Sequence, residues 1–246
     1  TARNGVAQEI ATDPASAFTP SQREQKYQQR WDDGGLTFIG VFADLLLDAD
    51  SNRTAADFVR ERIHEIVHDP ETAKMLCPDS TFGCKRLCVD SDYYDTFNQD
   101  SVTLVNIKEH GIERICSRGP VVNGKVYDVD ALVLATGFDA MTGTLKQIDI
   151  RGRDGLKLED KWIDGPTTCL GLMVAGFPNL FTITGPGSPS VLSNMLGSIE
   201  FHVDWITGCI EHLEKREASR IEATESAESL WGKEVERVVD QTLYRT

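Results

Sequence analysis

The chain has 246 residues, of which 40% are hydrophobic and 26% charged, and its formal net charge is −14 at pH 7. This length is sufficient for one or two domains with buried cores. The negative charge argues against a general nucleic-acid binder, because binding to phosphate backbones depends largely on clustered lysine and arginine. No apolar stretch reaches the roughly 18 to 20 residues that span a bilayer, and the first residues lack a signal-peptide pattern, so we expect a soluble, cytoplasmic protein.

Helices are predicted in the first third of the chain. Thr19 supplies an N-cap and Pro20 the first helical position, and the glycine pair at residues 34–35 marks a stop. A capping-box pattern at residues 54–57, followed by apolar residues at helical spacing, predicts the start of a second helix. An Asp-Pro pair then predicts a third, shorter helix over residues 70–76.

Beyond Cys77 the hydrophobic pattern changes to that of strands. SVTLVNI and IERIC are predicted to be strands, and PVVNGKVYDV a hairpin with Asn123 and Gly124 in a type I′ turn. Residues 129–135 carry apolar side chains on both faces, as a central strand covered on both sides does, and NLFTITGPG repeats that design. Because each of these two strands ends in a glycine turn, we expect an α/β sheet whose strand ends line a ligand crevice.

Two more helices are predicted after the second glycine turn. Residues 198–213 carry an apolar stripe, and Ser193, Asn194 or Gly197 lies near the start of that helix. The last helix, over residues 226–242, is acidic and has its own apolar stripe. No stop signal follows it, so we expect the chain to be part of a longer one.

The first candidate for chemistry is the pair Lys85 and Arg86 in GCKRLCVDSDYY. Neighbouring residues of an extended chain point to opposite faces, so the two cations would address different places. One would suit a phosphate and the other the reaction itself. A solvated pair on a strand edge is the alternative, and from these residues alone it is the stronger interpretation.

The second and third candidates lie where the two predicted buried strands end. In the ATG turn, Gly137 permits close approach of the backbone to a flat or anionic ligand, and the Thr136 hydroxyl can donate a hydrogen bond. The loop TGPGSPSVLSNMLGSIE enters a helix whose N-terminus suits an anion or the polar edge of a cofactor. A plain strand-ending turn and a plain strand-to-helix connection are the alternatives.

Metal binding and nucleophilic catalysis receive little support. His64 and His68 share one helix face and are followed by Cys77, Cys84 and Cys88, a set of ligands that could suit zinc. The cysteine spacings match no compact zinc knuckle, so solvent-facing histidines and buried thiols are the favoured interpretation and no metal site is predicted. The six cysteines are too sparse for a disulfide scaffold, and no GxSxG elbow occurs.

Four long stretches are informative together, because they follow one another in a fixed order. They are FGCKR…DYYDTFNQDSVTLV, DALVLATGFDAMTG…IDIRGRDGL, GPTTCLGLMVAGFPNLF and GPGSPSVLSNMLGSIEFHVDWI. In that order they resemble the class B flavin-dependent Baeyer–Villiger monooxygenases, and the GPGSPS…SNML loop is more similar to the phenylacetone and steroid monooxygenase branch than to the cyclohexanone branch. The resemblance implies an α/β fold that is part of a flavoprotein with two Rossmann-like dinucleotide-binding domains and a helical insert.

The resemblance also implies a reaction and its residues. Members of this family use FAD and NADPH to reduce O2 to a flavin peroxide, which attacks a ketone and gives an ester or lactone. Arg86 matches the active-site arginine over the flavin, where a guanidinium would stabilise anionic species. Lys85 matches a lysine that helps to select the 2′-phosphate of NADP. The positions implied to lie beside the cofactors are Thr136, Gly137 and Met195, and those implied to line the substrate pocket are Pro189, Ser190, Val191 and Leu192.

The family's architecture implies three parts in this chain. Residues 1–78 would be the helical insert, 79–127 the returning part of the NADP-binding domain, and 128–246 the later part of the FAD-binding domain. The chain lacks both GxGxxG turns of the family, its FxGxxxHxxxW fingerprint and the aspartate that partners the arginine. We therefore expect the isolated chain to be inactive, and its partners to be the missing segments of its parent chain as well as a ketone and O2.

Two other functions stay open at this point. A related N- or S-oxygenating flavin monooxygenase is the first, since the ATG strand is shared more widely than the Baeyer–Villiger reaction. The second is a non-enzymatic helical and α/β module that keeps the fold in order to bind a partner.

Overall fold

The computed structural model describes residues 11–188 and 194–245. Three helices fill the first part, a small antiparallel sheet follows, and two long helices close the chain. The helices are α1 (Pro20–Asp33), α2 (Ala49–Ile66), α3 (Pro70–Leu76), the short α4 (Gly143–Gln147) and α5 (Leu158–Lys161), α6 (Met195–Lys215) and α7 (Glu225–Val239). The strands are β1 (Arg114–Cys116), β2 (Gly119–Val122) and β3 (Lys125–Val126).

The first three helices follow their sequence signals, with one exception. Thr19 and Gln22 form a reciprocal capping box at the start of α1, and α3 begins and ends where it was predicted. The predicted start of α2 at residues 54–57 is wrong, because Asp48 caps the helix six residues earlier by accepting the Ser51 amide at 2.8 Å. Thr54 lies inside the helix, where its hydroxyl donates to the Ser51 carbonyl at 2.7 Å.

The acidic caps of α2 and α3 make the stability of this part of the chain depend on pH. A hydrogen bond from the Ser51 backbone lowers the pKa of Asp48 from its usual 3.8, and hydrogen bonds from the Thr72 side chain and amide do the same for Asp69. The charged carboxylates are the better acceptors, so each cap stabilises the folded chain fully at a pH above the pKa that the aspartate has in the unfolded chain. This stabilisation is lost as the pH falls through the lower pKa that the aspartate has in the folded chain.

We therefore expect a pH-dependent difference between the wild type and an Asp48→Asn, Asp69→Asn double variant, in which both caps are kept but uncharged. The wild type should have the higher urea midpoint above about pH 4, near the unfolded pKa of aspartate. The gap should close as the pH is lowered further. Urea titrations between about pH 2 and pH 6 measure it, and a gap that does not change with pH would contradict the assignment.

The helical part is built on an aromatic cluster. Tyr27, Phe38, Phe42 and Phe58 are buried together, with ring centroids between 5.3 and 5.7 Å apart. Phe82 joins the cluster edge-on from beyond α3, 5.6 Å from Phe38. Aromatic pairs at these distances add to the stabilisation that burial gives. The cluster therefore ties the segment that follows α3 back onto the helices.

A separate core lies in the second half of the chain. Its fully buried members are Leu158, Trp162, Val174 and Phe177. The Trp162 indole donates to the Thr167 carbonyl at 2.9 Å, so the ring is buried with its polar atom satisfied. This core supports the loops that connect α5 with α6.

The predicted hairpin is confirmed. β1 pairs with β2 and β2 with β3, both antiparallel, and Asn123 and Gly124 have φ values of 48° and 72°, as a type I′ turn requires. The predicted strand over SVTLVNI is wrong, because within the described part of the chain that segment pairs with no sheet.

The two predicted buried strands are not strands in this structure. Residues 129–140 lie outside any strand and are exposed: Val133, Leu134 and Phe138 have 84, 67 and 99% of their surface accessible. No backbone N–H from residue 130 to residue 139 donates a hydrogen bond to another described residue. The NLFTI segment likewise lies outside any strand, although Thr182 is buried. Two segments with strong strand patterns thus have no strand to pair with among the described residues.

The α/β class is present as mixed helix and sheet, but the parallel sheet with a crevice is not formed by the described residues. The domain boundaries near residues 78 and 127 stay predictions. Within residues 11–188 and 194–245, no helix combines the length and the apolar character that crossing a membrane requires.

Candidate functional site

The segment that carries Lys85 and Arg86 is fixed by a buried asparagine of α2. Asn52 is 5% exposed, and its amide nitrogen donates to the carbonyls of Leu45 at 2.7 Å and Phe82 at 2.8 Å. Its side-chain oxygen accepts the Phe82 amide at 3.1 Å. A side chain that satisfies buried backbone groups in this way is costly to replace. Sequence analysis missed Asn52, because the helix was predicted to begin at residue 54 and Asn52 precedes that position.

Gly83, in the same segment, packs against two apolar side chains. Gly83 has a φ of +77°, and a Cβ there would lie 2.8 Å from Ile39 and 3.0 Å from Leu46, so only glycine fits without a shift. The next residue, Cys84, donates its thiol to the Leu243 carbonyl at 3.3 Å, and burial raises the pKa of that thiol. The protonated form that can donate is therefore favoured.

Beyond these anchors Lys85 and Arg86 are both exposed. Asp79 lies near the pair, and its pKa is lowered mainly by a 2.8 Å hydrogen bond from Lys108, with a smaller attraction from Lys85. Two cations are thus presented on the surface by a segment whose preceding backbone is rigidly held. This arrangement suits the binding of an anionic ligand.

The ATG turn is equally open. Thr136 and Gly137 are exposed, Gly137 has a φ of +82°, and no heavy atom lies within 4 Å of a Cβ placed there. The positive φ, rather than lack of space, therefore favours glycine at this position. The free amides of this stretch and the open backbone are compatible with a ligand that lies flat against the turn.

The third candidate region is described at both ends. Met195 is the first residue of α6 and is partly buried, and Asn194 caps the helix by accepting the Leu196 amide at 3.0 Å. Of the three residues predicted to lie near the start of this helix, Asn194 is thus the cap, and α6 begins at Met195, three residues before the predicted start. The four predicted substrate-lining residues, Pro189, Ser190, Val191 and Leu192, lie outside the described residues.

The structure does not bring these candidates into one cavity. An open groove of about 380 Å³ is lined by α2 and residues 79–81, and one of about 130 Å³ by α4 and α5. Neither groove is lined by a predicted site residue. All six cysteines are free thiols, and no cluster of metal ligands occurs in the part of the chain that the structure describes. The prediction that the thiols are buried is wrong for Cys88, which is exposed, while Cys77 and Cys84 are partly buried.

Comparisons with known proteins give one consistent result, although no family model matches the chain. The 2-oxo-Δ3-4,5,5-trimethylcyclopentenylacetyl-CoA monooxygenase of Pseudomonas putida is 38% identical over 225 residues. The phenazine N-monooxygenase PhzNO1 of Lysobacter antibioticus is 37% identical over 233 residues. A Baeyer–Villiger monooxygenase of Pseudooceanicola batsensis is 34% identical over 239 residues. These matches cover 91, 94 and 96% of this chain, and 41, 42 and 43% of the relatives.

The solved structures decide the relationship. An oxidised steroid monooxygenase bound to NADP superimposes on 97% of the chain with a TM-score of 0.91 and 42% identity. The chain is a homologue of the Baeyer–Villiger monooxygenases. A cyclohexanone-bound cyclohexanone monooxygenase gives the same TM-score over 96% of the chain at 40% identity. The chain covers 46% of each of these two structures, so it spans less than half the length of the monooxygenases it matches.

The match to these monooxygenases also bears on the predicted fold class. The chain has the fold of part of a flavoprotein with two dinucleotide-binding domains, which confirms the predicted fold class. In those longer proteins more than half of the polypeptide lies outside the matched region.

Proposed function

We propose that the full-length protein, of which this chain is one part, is an FAD- and NADPH-dependent Baeyer–Villiger monooxygenase. It inserts one oxygen atom from O2 into a ketone and gives an ester or lactone. The observation that carries this proposal is the agreement of backbone and sequence with steroid and cyclohexanone monooxygenases over 96–97% of the chain.

The residues present fit the two cofactors in their chemistry. Lys85 and Arg86 offer two cations on an anchored segment, and Gly137 offers an open backbone beside unpaired amides. In this proposal Thr136, Gly137 and Met195 contact FAD, and Lys85 contacts the 2′-phosphate of NADPH. Bound FAD would supply the activation of O2 and NADPH the electrons.

Arg86 is assigned the central role among this chain's own residues. Its guanidinium stays protonated and presents five N–H donors in a plane. When oxygen adds to a ketone, negative charge develops on the carbonyl oxygen, and a preorganised cation lowers the energy of that state. The anchors at Asn52 and Gly83 keep the backbone that carries Arg86 in place.

The assignment of Lys85 leads to a prediction about coenzyme choice. Replacement of Lys85 by alanine is expected to raise the KM for NADPH about tenfold or more, because a charge-assisted contact with a phosphate is lost. The KM for NADH, which lacks that phosphate, should stay unchanged. Steady-state kinetics with both coenzymes measure the effect, and an equal rise in both values would contradict the role.

The remainder of the polypeptide is proposed as the partner of two exposed apolar surfaces. One is the stretch over residues 129–138, and the other lies along one face of α6, where Leu196, Val203 and Ile210 follow one another at a spacing of seven residues and are exposed. Contiguous exposed apolar surface of this kind marks an interaction site. Since the chain has no glycine-rich pyrophosphate site of its own, it is expected to bind neither cofactor and to be inactive in isolation.

N-oxygenation is the second candidate function. It is favoured by the phenazine N-monooxygenase PhzNO1, which matches this chain as well as the ketone-oxidising relatives do. The two reactions are separated by giving the full-length protein NADPH with a cyclic ketone, an aromatic N-heterocycle or a sulfide, and identifying products by mass spectrometry. Ester or lactone as the main product supports the first proposal, and N-oxide as the main product would replace it with the second.

A further inference from the structure

An exposed ion pair lies beside the segment that carries Lys85 and Arg86. Lys108 donates to Asp79 at 2.8 Å, and the side chains of the two residues are 71 and 81% exposed. The pair joins parts of the chain that are 29 residues apart. Ion pairs that are this exposed contribute little or nothing to the stability of a fold. The stability of the chain therefore does not explain this pair.

A tight turn brings Asp79 and Lys85 close to each other. The Cys84 amide donates to the Thr81 carbonyl at 3.2 Å, and Gly83, the third residue of the turn, has the positive φ that a type II turn requires there. Such a turn reverses the direction of the chain, so the residues before it and after it run side by side. Asp79 and Lys85 flank the turn and therefore lie on the same side of it.

Helix α2 holds this turn at two points. Arg60 donates to the Pro78 carbonyl at 3.1 and 3.3 Å, and Asn52 bonds with both the N–H and the carbonyl of Phe82. The backbone is thus held immediately before Asp79 and again three residues after it. The carboxylate therefore has a defined place beside Lys85, although its side chain is exposed.

Two lysines act on the charge of Asp79. A hydrogen bond and electrostatic attraction from Lys108 lower the pKa of Asp79 most, and a weaker attraction from Lys85 adds to them. The carboxylate is therefore ionised at neutral pH and interacts with Lys85. Without a partner it would attract the Lys85 ammonium and repel a phosphate that approached the same place. The Lys108 ammonium offsets that negative charge at a distance of 2.8 Å.

We propose that Lys108 and Asp79 tune the preference of the full-length protein for the phosphorylated nicotinamide coenzyme. Lys108 binds the carboxylate that would otherwise pair with Lys85, and so keeps the Lys85 ammonium available for the 2′-phosphate. Asp79 acts in the opposite direction, as a negative charge that weakens phosphate binding. This inference rests on the proposed function, in which Lys85 contacts the 2′-phosphate of NADPH. It adds two residues that modulate this contact through their charges.

The test measures coenzyme binding to the full-length protein by isothermal titration calorimetry, with NADP⁺ and NAD⁺ as the probes. Lys108→Gln removes the neutralising charge, Asp79→Asn removes the carboxylate, and a double variant removes both. Because both side chains are exposed, these changes should leave the fold intact. Asp149→Asn is the matched control, since Asp149 forms another exposed ion pair, with Arg151 at 3.0 Å, beside the second core.

The expected changes in Kd for NADP⁺ have opposite signs. Lys108→Gln should raise this Kd about threefold to tenfold and Asp79→Asn should lower it about twofold to fivefold, because a phosphate with nearly two negative charges lies close to the changed charge. In the double variant, replacement of Lys108 should have a smaller effect than in the wild type, since the carboxylate that it neutralises is gone. The Kd for NAD⁺ should not change in any variant, and Asp149→Asn should bind both coenzymes like the wild type.

Ionic strength separates an effect of charge from an effect of structure. The differences in Kd for NADP⁺ should be largest at about 0.02 M salt and should nearly vanish at about 0.5 M, because exposed charges are screened. Differences that do not depend on salt, or an equal rise in Kd for both coenzymes in Lys108→Gln, would overturn the proposal, because both results indicate structural support of the whole coenzyme site.

Lys85→Ala distinguishes failure of this inference from failure of the proposed function. If Lys85→Ala weakens NADP⁺ binding while Lys108→Gln and Asp79→Asn bind NADP⁺ like the wild type, only the tuning role is overturned. If Lys85→Ala leaves the Kd for NADP⁺ unchanged, the phosphate contact assigned to Lys85 in the proposed function is wrong, and the tuning role falls with it.

Discussion

Replacement of Arg86 by alanine in the full-length protein is expected to lower the rate of ester formation about 100-fold to 1,000-fold. This is the usual effect of removing one preorganised group that stabilises developing negative charge. The fold should be unaffected, because Arg86 is exposed and the segment is held by Asn52 and by the packing of Gly83. Single-turnover kinetics of ketone conversion measure the effect apart from coenzyme binding.

Arg86→Lys is the informative companion variant. It keeps the positive charge and loses the planar fork of donors, so an intermediate rate is expected. Alanine and lysine variants that both keep the wild-type rate would show that Arg86 is the solvated surface residue that the local sequence favours on its own. Loss of folding in Arg86→Ala, seen by circular dichroism, would contradict the claim that the side chain acts only at the reaction.

Replacement of Val133 by aspartate is expected to have little effect on the isolated chain and a large effect on the full-length protein. In the isolated chain Val133 is 84% exposed, so the free energy of unfolding should change by no more than about 0.5 kcal/mol. In the full-length protein the same residue is expected to lie in a covered strand. An unpaired charge buried there should cost about 3 to 5 kcal/mol and prevent FAD retention.

The effect on the isolated chain is measured by urea unfolding. The effect on the full-length protein is measured by the flavin content of the purified protein. Leu47→Asp is the control, since Leu47 is 55% exposed on the helical part, away from the apolar stretch. It should leave flavin content unchanged. A full-length Val133→Asp protein with normal flavin content would contradict the proposal that the rest of the polypeptide covers this stretch.

Elements with local signals could be predicted from the sequence. The capping box at Thr19, the Asp-Pro start of α3 and the Asn123-Gly124 turn each depend on residues a few positions apart, and the structure contains all three. The start of α2 was misplaced because two capping patterns lie close together. Asp48 caps the helix, and Thr54 instead bonds with Tyr27 at 2.7 Å.

Long-range features could not be predicted in the same way. A strand pattern indicates which residues suit burial, but it does not indicate which strand will pair with them. Residues 129–135 were therefore expected to be covered, whereas the structure shows them exposed. Asn52 and Trp231 act on backbone groups 30 and 44 residues away, a relationship that no local pattern contains. The roles of Lys85 and Arg86 came from the family resemblance, since local sequence favoured a solvated pair.

The most direct test of the central claim is oxygen transfer by the full-length protein under ¹⁸O2. The visible spectrum of the purified protein is recorded, NADPH and a cyclic ketone are added, and the mass of the product is measured by mass spectrometry. We expect flavin absorption bands and a lactone that carries one ¹⁸O atom. A protein without flavin bands, or one that consumes NADPH without placing ¹⁸O in a lactone, would contradict the assignment.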